Sequence, residues 1–96
     1  MPHFLSLVSF TEQGIRQVKD SPKRANAFRG TIEKAGGVVH GMYWAVGEFD
    51  GALLFEAPDE ETAVSLMLKL GSAGFVRTRT MRLLDAGEFG KIAQNS

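Results

Sequence analysis

The sequence contains no cysteine, which excludes a disulfide framework, a thiolate nucleophile and any zinc site built on sulfur. The same absence fits a reducing compartment, so a cytoplasmic location is expected. Neither sign of charge is in surplus. Eleven Lys and Arg balance eleven Asp and Glu, interspersed along the chain. A non-specific nucleic-acid binder needs a basic excess to neutralise phosphates, so no nucleic-acid partner is expected. Long apolar runs are missing as well. The stretch from Phe4 to Phe10 is short and interrupted by Ser6 and Ser9. It reads as a strand and not as a signal peptide or membrane span, so no membrane partner is expected either. Ninety-six residues make one small domain, 1–96, with a limited surface to bury.

What is present alternates between strand and helix signals. Phe4 to Phe10 is followed by Thr11, a helix N-cap residue, and a short apolar face of Ile15 and Val18. Ser21-Pro22 restarts a helix, with Ser21 expected as cap and Pro22 in the first turn. Ala25, Phe28, Ile32 and Ala35 then recur at helical spacing until Gly36-Gly37 stops them. Val38 to Val46 and Phe49 to Ala57 read as a hairpin across a tight turn at Gly47-Glu48. Pro58-Asp59-Glu60-Glu61 opens another helix, whose stripe is Ala63, Leu66, Met67 and Leu70. Phe75 to Leu84 is a fourth strand, and the tail with Phe89 and Ile92 adds one helical turn. Strands near 3–10, 38–46, 49–57 and 75–84, with helices near 11–36 and 59–70, give the order β-α-β, β-α-β. Two such units interleave as an α+β, ferredoxin-like βαββαβ fold. Its antiparallel sheet has spatial order 4-1-3-2, with both helices on one face.

Two helices cover one face only, so the strands should alternate apolar and polar. They do not. Phe4, Val8 and Phe10 point one way while Leu5 and Leu7 point the other. Phe49, Leu53 and Phe55 likewise oppose Ala52 and Leu54. Strands apolar on both faces imply a second cover, and a second copy of the chain is the economical one. A homo-oligomer is therefore expected.

The run from Gly14 to Arg24 resembles the helix-entry segment of the GYD family of small bacterial proteins. So do Gly47-Glu48-Phe49-Asp50, Glu56-Ala57-Pro58-Asp59, and the segments Leu70-Gly71-Ser72 and Val76-Arg77-Thr78-Arg79-Thr80. Phe49 stands where the name-giving motif has Tyr, so any role for that phenol hydroxyl is absent here. The family is similar to the dimeric α/β-barrel superfamily, in which two ferredoxin-like sheets pack face to face. That resemblance implies a dimer. It implies no single chemistry, because the superfamily ranges from cofactor-independent monooxygenases and haem-degrading enzymes to ligand-sensing domains.

Candidate site residues follow from parity along the strands. Arg77 and Arg79 leave one face of the fourth strand. The helix-packed face would not readily accept two mid-strand charges, so both belong on the open face. There they could hold a carboxylate or phosphate, or serve as interfacial ion pairs to Glu48, Asp50 or Glu56. His40, Met42, Trp44 and Val46 share one parity of the second strand. Imidazole beside indole suits an aromatic or haem-like ligand, and equally an edge strand with His40 near solvent and Trp44 packed in a dimer core. With Phe55 as a further apolar wall, Arg77, Arg79, His40 and Trp44 make up the candidate ligand site on the open sheet face. Lys19, Lys23 and Arg24 gather at the helix restart, either as a solvated face or as an anion site. His3 reads as a solvated terminal residue. Two histidines 37 positions apart match no metal-ligand spacing, so no metal site is expected, and no cofactor.

Three functions stay open on these grounds. The chain is a small-molecule-binding homo-oligomer, a cofactor-independent monooxygenase-like enzyme, or a structural and regulatory oligomerisation module. An enclosed cavity reaching Trp44, Arg77 or His40 separates the first two from the third.

Overall fold

The computed structural model describes all 96 residues. Its elements are β1 (His3–Phe10), α1 (Glu12–Arg16), α2 (Ser21–Lys34), β2 (Val38–Trp44), β3 (Gly51–Glu56), α3 (Glu60–Ser72), β4 (Val76–Leu83) and α4 (Ala86–Gln94). A single 3-10 turn, Val18–Asp20, joins α1 to α2. The four strands form one antiparallel sheet in the order β2-β3-β1-β4. This is the expected 4-1-3-2 arrangement read from the opposite edge, and the fold is ferredoxin-like.

The register fixes which side chains share a face. Phe4 pairs with Phe55 and Arg82, Ser6 with Leu53 and Thr80, and Val8 with Gly51 and Thr78. These face the helices. Phe4, Leu53 and Phe55 meet Ile32 of α2 and Ala63 and Leu66 of α3, with Ala57 completing the core. Phe4 and Phe55 stack with ring centroids 5.4 Å apart. Burying each large side chain here contributes about 1.5–3 kcal/mol. Ser6 is fully buried in the same layer, and its hydroxyl accepts from Thr80 Oγ1 at 3.0 Å.

Local signals position the helices. Thr11 accepts the Gly14 N–H at 3.1 Å and donates to the Gly74 carbonyl at 2.6 Å, tying the start of α1 to the loop before β4. Asp59 caps α3, accepting from the Thr62 N–H at 2.7 Å, and hydrogen bonding from the Thr62 side chain, together with that N–H, holds its carboxyl below the ordinary value of 3.8. No helix is long and apolar enough to cross a membrane.

Three local expectations need correction. Ser21 does not cap α2; Asp20 occupies that position without a side-chain bond, and Ser21 is the first helical residue. Its hydroxyl instead accepts the Trp44 indole N–H at 2.9 Å. The β2–β3 connection is no tight turn at Gly47-Glu48 but spans residues 45–50, closed by Ala45 N–H to the Asp50 carbonyl at 2.9 Å. Asp50 also bonds β1 twice, accepting from the Phe10 N–H at 2.8 Å and donating its own N–H to the Val8 carbonyl at 2.8 Å. A chain already engaged in that way cannot fold into a two-residue hairpin turn. Finally, the tail forms a nine-residue helix, α4, rather than one turn. Its capping box joins Asp85 and Glu88, and Glu88 also pairs with Arg82 at 3.1 Å.

Candidate functional site

The open face of the sheet carries the residues of opposite parity. Across its middle run Gly41, Leu54, Leu5 and Met81, one from each strand, with Ala52, Leu7 and Arg79 in a neighbouring row. Val38, Tyr43 and Met81 are exposed there. Arg77 and Arg79 stand opposite Ser9 and Leu7, on the open parity. Arg77, on an edge strand, donates from Nη1 to the Gly71 carbonyl at 3.1 Å, so it satisfies the C-terminal end of α3. Arg79 makes no ion pair within the chain. Neither arginine reaches Glu48, Asp50 or Glu56.

At one end of this face, histidines and a carboxylate converge. A bulge between Val39 and Gly41 inserts His40 as an extra residue in β2. It turns the imidazole away from the parity of Met42 and Trp44 and towards Glu56 at the end of β3. His40 Nε2 lies 2.5 Å from Glu56 Oε2, and His3 Nε2 lies 3.4 Å from the same oxygen. The two imidazoles stack at 5.5 Å. The hydrogen bond from His40 holds the Glu56 carboxyl below its ordinary range. Partial burial opposes that shift, and the charges of His3, His40 and the chain amino group add to it. Glu56 therefore stays ionised near neutrality. His3 is thus not a free terminal residue, and sequence separation is no argument against a shared site. The bulge and the β1–β3 register bring the two histidines together, and neither has a local signature in the sequence.

The other face holds a cleft of about 350 Å³ between the sheet and the helices. Val8, Phe10, Leu53, Phe28, Phe75 and Trp44 are among the residues of its apolar wall. Arg24 of α2 lines it too. Its guanidinium lies 4.2 Å over the Phe75 ring, and Nη1 donates to the Gln17 carbonyl at 3.0 Å. Its Nη2 is buried without a hydrogen-bond partner. A buried cationic donor beside apolar walls is suited to an acidic head group on an apolar body.

The five residues anticipated as one ligand site therefore do not share one. Arg77, Arg79 and His40 belong to the open face, while Trp44 and Phe55 lie on the helix side of the sheet. Phe55 has no exposed surface and does not line the cleft. Trp44 lines the cleft with Arg24, which the sequence singled out only as one member of a basic cluster. The reason is the bulge: parity counted through it assigns His40 and Trp44 to one face.

No solved structure matches the chain. A protein of Thermus thermophilus, described as a glutamine synthetase and cystathionine beta-lyase binding protein, is 30% identical over 89 residues, covering 92% of this chain and 94% of the relative. The GYD domain model matches residues 4–93, from the first core phenylalanine to the last turn of α4, and the chain belongs to the GYD family.

Proposed function

We propose that this chain is a small non-catalytic binding protein. It self-associates through its open sheet face, holds an anionic small molecule in the helix-side cleft, and engages an enzyme as partner. The observation that carries this reading is the cleft of about 350 Å³, lined by Arg24, whose Nη2 is buried and unpaired. Its volume falls in the range of small-molecule sites, about 300–1,000 Å³. Binding is favoured over monooxygenase-like catalysis by the character of the walls. They hold no histidine, and their one carboxylate, Asp50, already accepts the Phe10 N–H. The enzyme partner rests on the relative's description, and a cytoplasmic setting belongs to the same proposal.

Trp44 is the only tryptophan and lines the cleft, so its fluorescence reports occupancy directly. Titration with octanoate should saturate and should be tighter than titration with octanol. Arg24→Met should weaken octanoate by about 10–100-fold, the worth of a hydrogen bond to a charged group, and leave octanol unchanged. An absence of saturation with both probes would remove the ligand from the proposal. Sedimentation with the host's purified glutamine synthetase tests the partner separately.

A further inference from the structure

This chain possesses two histidines, and the fold delivers both to one carboxylate. His3 opens β1, His40 sits in the bulge of β2, and Glu56 closes β3. Three adjacent strands thus contribute one donor each at the same end of the open face. Both imidazole Nε2 atoms approach Glu56 Oε2, at 3.4 Å from His3 and 2.5 Å from His40. The donor atoms of the three residues all lie within 4.8 Å of one another. Without the bulge, His40 would follow the parity of Met42 and Trp44 onto the helix side. Bulges that interrupt a ladder commonly serve to re-aim a side chain, and this one completes the cluster.

We propose that His3, His40 and Glu56 form a binding site for a divalent transition-metal ion, with zinc as the type case. Two imidazole nitrogens and one carboxylate oxygen suit zinc and its neighbours, whereas calcium and magnesium favour oxygen donors throughout. Donors around a tetrahedral zinc ion stand about 3.3 Å apart when the bonds are near 2.05 Å. The His3–Glu56 spacing of 3.4 Å already matches. The His40 ring must withdraw by less than about 1 Å to reach that spacing, and its side chain, 40% exposed, has room to do so. Glu56 is the more enclosed member, at 17%, so it forms the floor and the rings the rim. Three protein donors leave a coordination position for water or an outside donor, as in open zinc sites. The site uses none of the residues that line the cleft, so it stands or falls independently of the ligand proposed there.

The test uses the full chain without a histidine tag, stripped of metal with a chelator. Zinc is titrated by calorimetry, and cobalt(II) is followed through its visible d–d absorption. The wild type should take up a single zinc ion per chain, with a rise in melting temperature and a cobalt spectrum of nitrogen and oxygen coordination. His40→Ala and Glu56→Gln should each weaken zinc by at least about 100-fold, a quarter or so of a four-donor site's binding free energy. Glu56→Gln keeps the shape and hydrogen-bonding capacity of the side chain. Its circular dichroism and metal-free melting temperature distinguish a lost ligand from a lost fold. A wild type that takes up no zinc from molar excess would overturn the proposal. So would zinc binding that survives unchanged in a folded His3→Ala, His40→Ala double variant, since the ion would then sit elsewhere.

Discussion

Gly14 sits where the chain has no room for a side chain. A Cβ there would lie 2.0 Å from the carbonyl oxygen of Phe75, the same oxygen that accepts the Thr11 N–H at 3.0 Å. Backbone cannot yield as a side chain can, so Gly14→Ala must push α1 off the loop before β4. We expect a loss of about 2 kcal/mol or more in urea unfolding, well beyond the usual effect of a surface substitution. Gly30, on the exposed side of α2, has nothing near its missing Cβ. Its replacement by Ala is expected to stabilise by about 0.4–1 kcal/mol in the same measurement. The residues that were hardest to read are those whose partner is set by register. Arg24 reads as one of three basic residues around a helix restart, and nothing local distinguishes the one that turns inward over Phe75. Phe55 was readable as apolar, and its alternation with Leu54 was correct; only its assignment to the open face failed.

At the scale of the element, strands and helices were legible because pattern and punctuation agreed. Phe28 and Ile32 of α2 and Ala35 at its C-cap do pack inward, with Ile32 fully buried, and Ala25 lines the cleft. The helix α4 escaped because two glycines, Gly87 and Gly90, weaken its propensity, although Asp85 and Glu88 stand at capping-box spacing. The bulge in β2 left no trace because an extra residue in a strand looks like any other. Caps also make stability depend on pH. The Asp59 carboxyl titrates below 3.8, held down by its bonds to Thr62, and Glu88 below 4.5, held down by Arg82 and the Asp85 N–H. Both groups release their protons more readily folded than unfolded. Their stabilisation is therefore complete above those ordinary values and is lost as pH falls through the lower folded ones. Asp59→Asn retains a good cap without a titrating group. Its melting temperature should fall less steeply than that of the wild type as pH is lowered below about 4.

The whole molecule is a thin slab, 48 × 30 × 19 Å, with a radius of gyration of 14.4 Å against about 12.5 Å for a compact chain of this length. Only 12 of its 96 residues are buried, because one layer of helices shields one side of one sheet. A second copy laid on the open face would supply the missing layer. Leu5 lies at the centre of that face, between Leu54 and Met81. Leu5→Glu should shift the protein from dimer to monomer in sedimentation velocity while circular dichroism keeps its mixed helix and strand signal. A wild type that sediments as a monomer at every concentration would count against the dimer. The sheet's two outer strands have a different exposure, since each ends in unpaired backbone N–H and C=O groups that invite another strand to add on. On β2 the bulge breaks the regular ladder that such a strand would need. On β4 the guard is charge: Arg77, Arg79 and Arg82 fall within eight residues. Without them the segment from Phe75 to Leu84 would be an uncharged, β-prone run of the kind that seeds cross-β fibrils. The arginines of β4 thereby guard an open sheet edge in a chain with so little buried core.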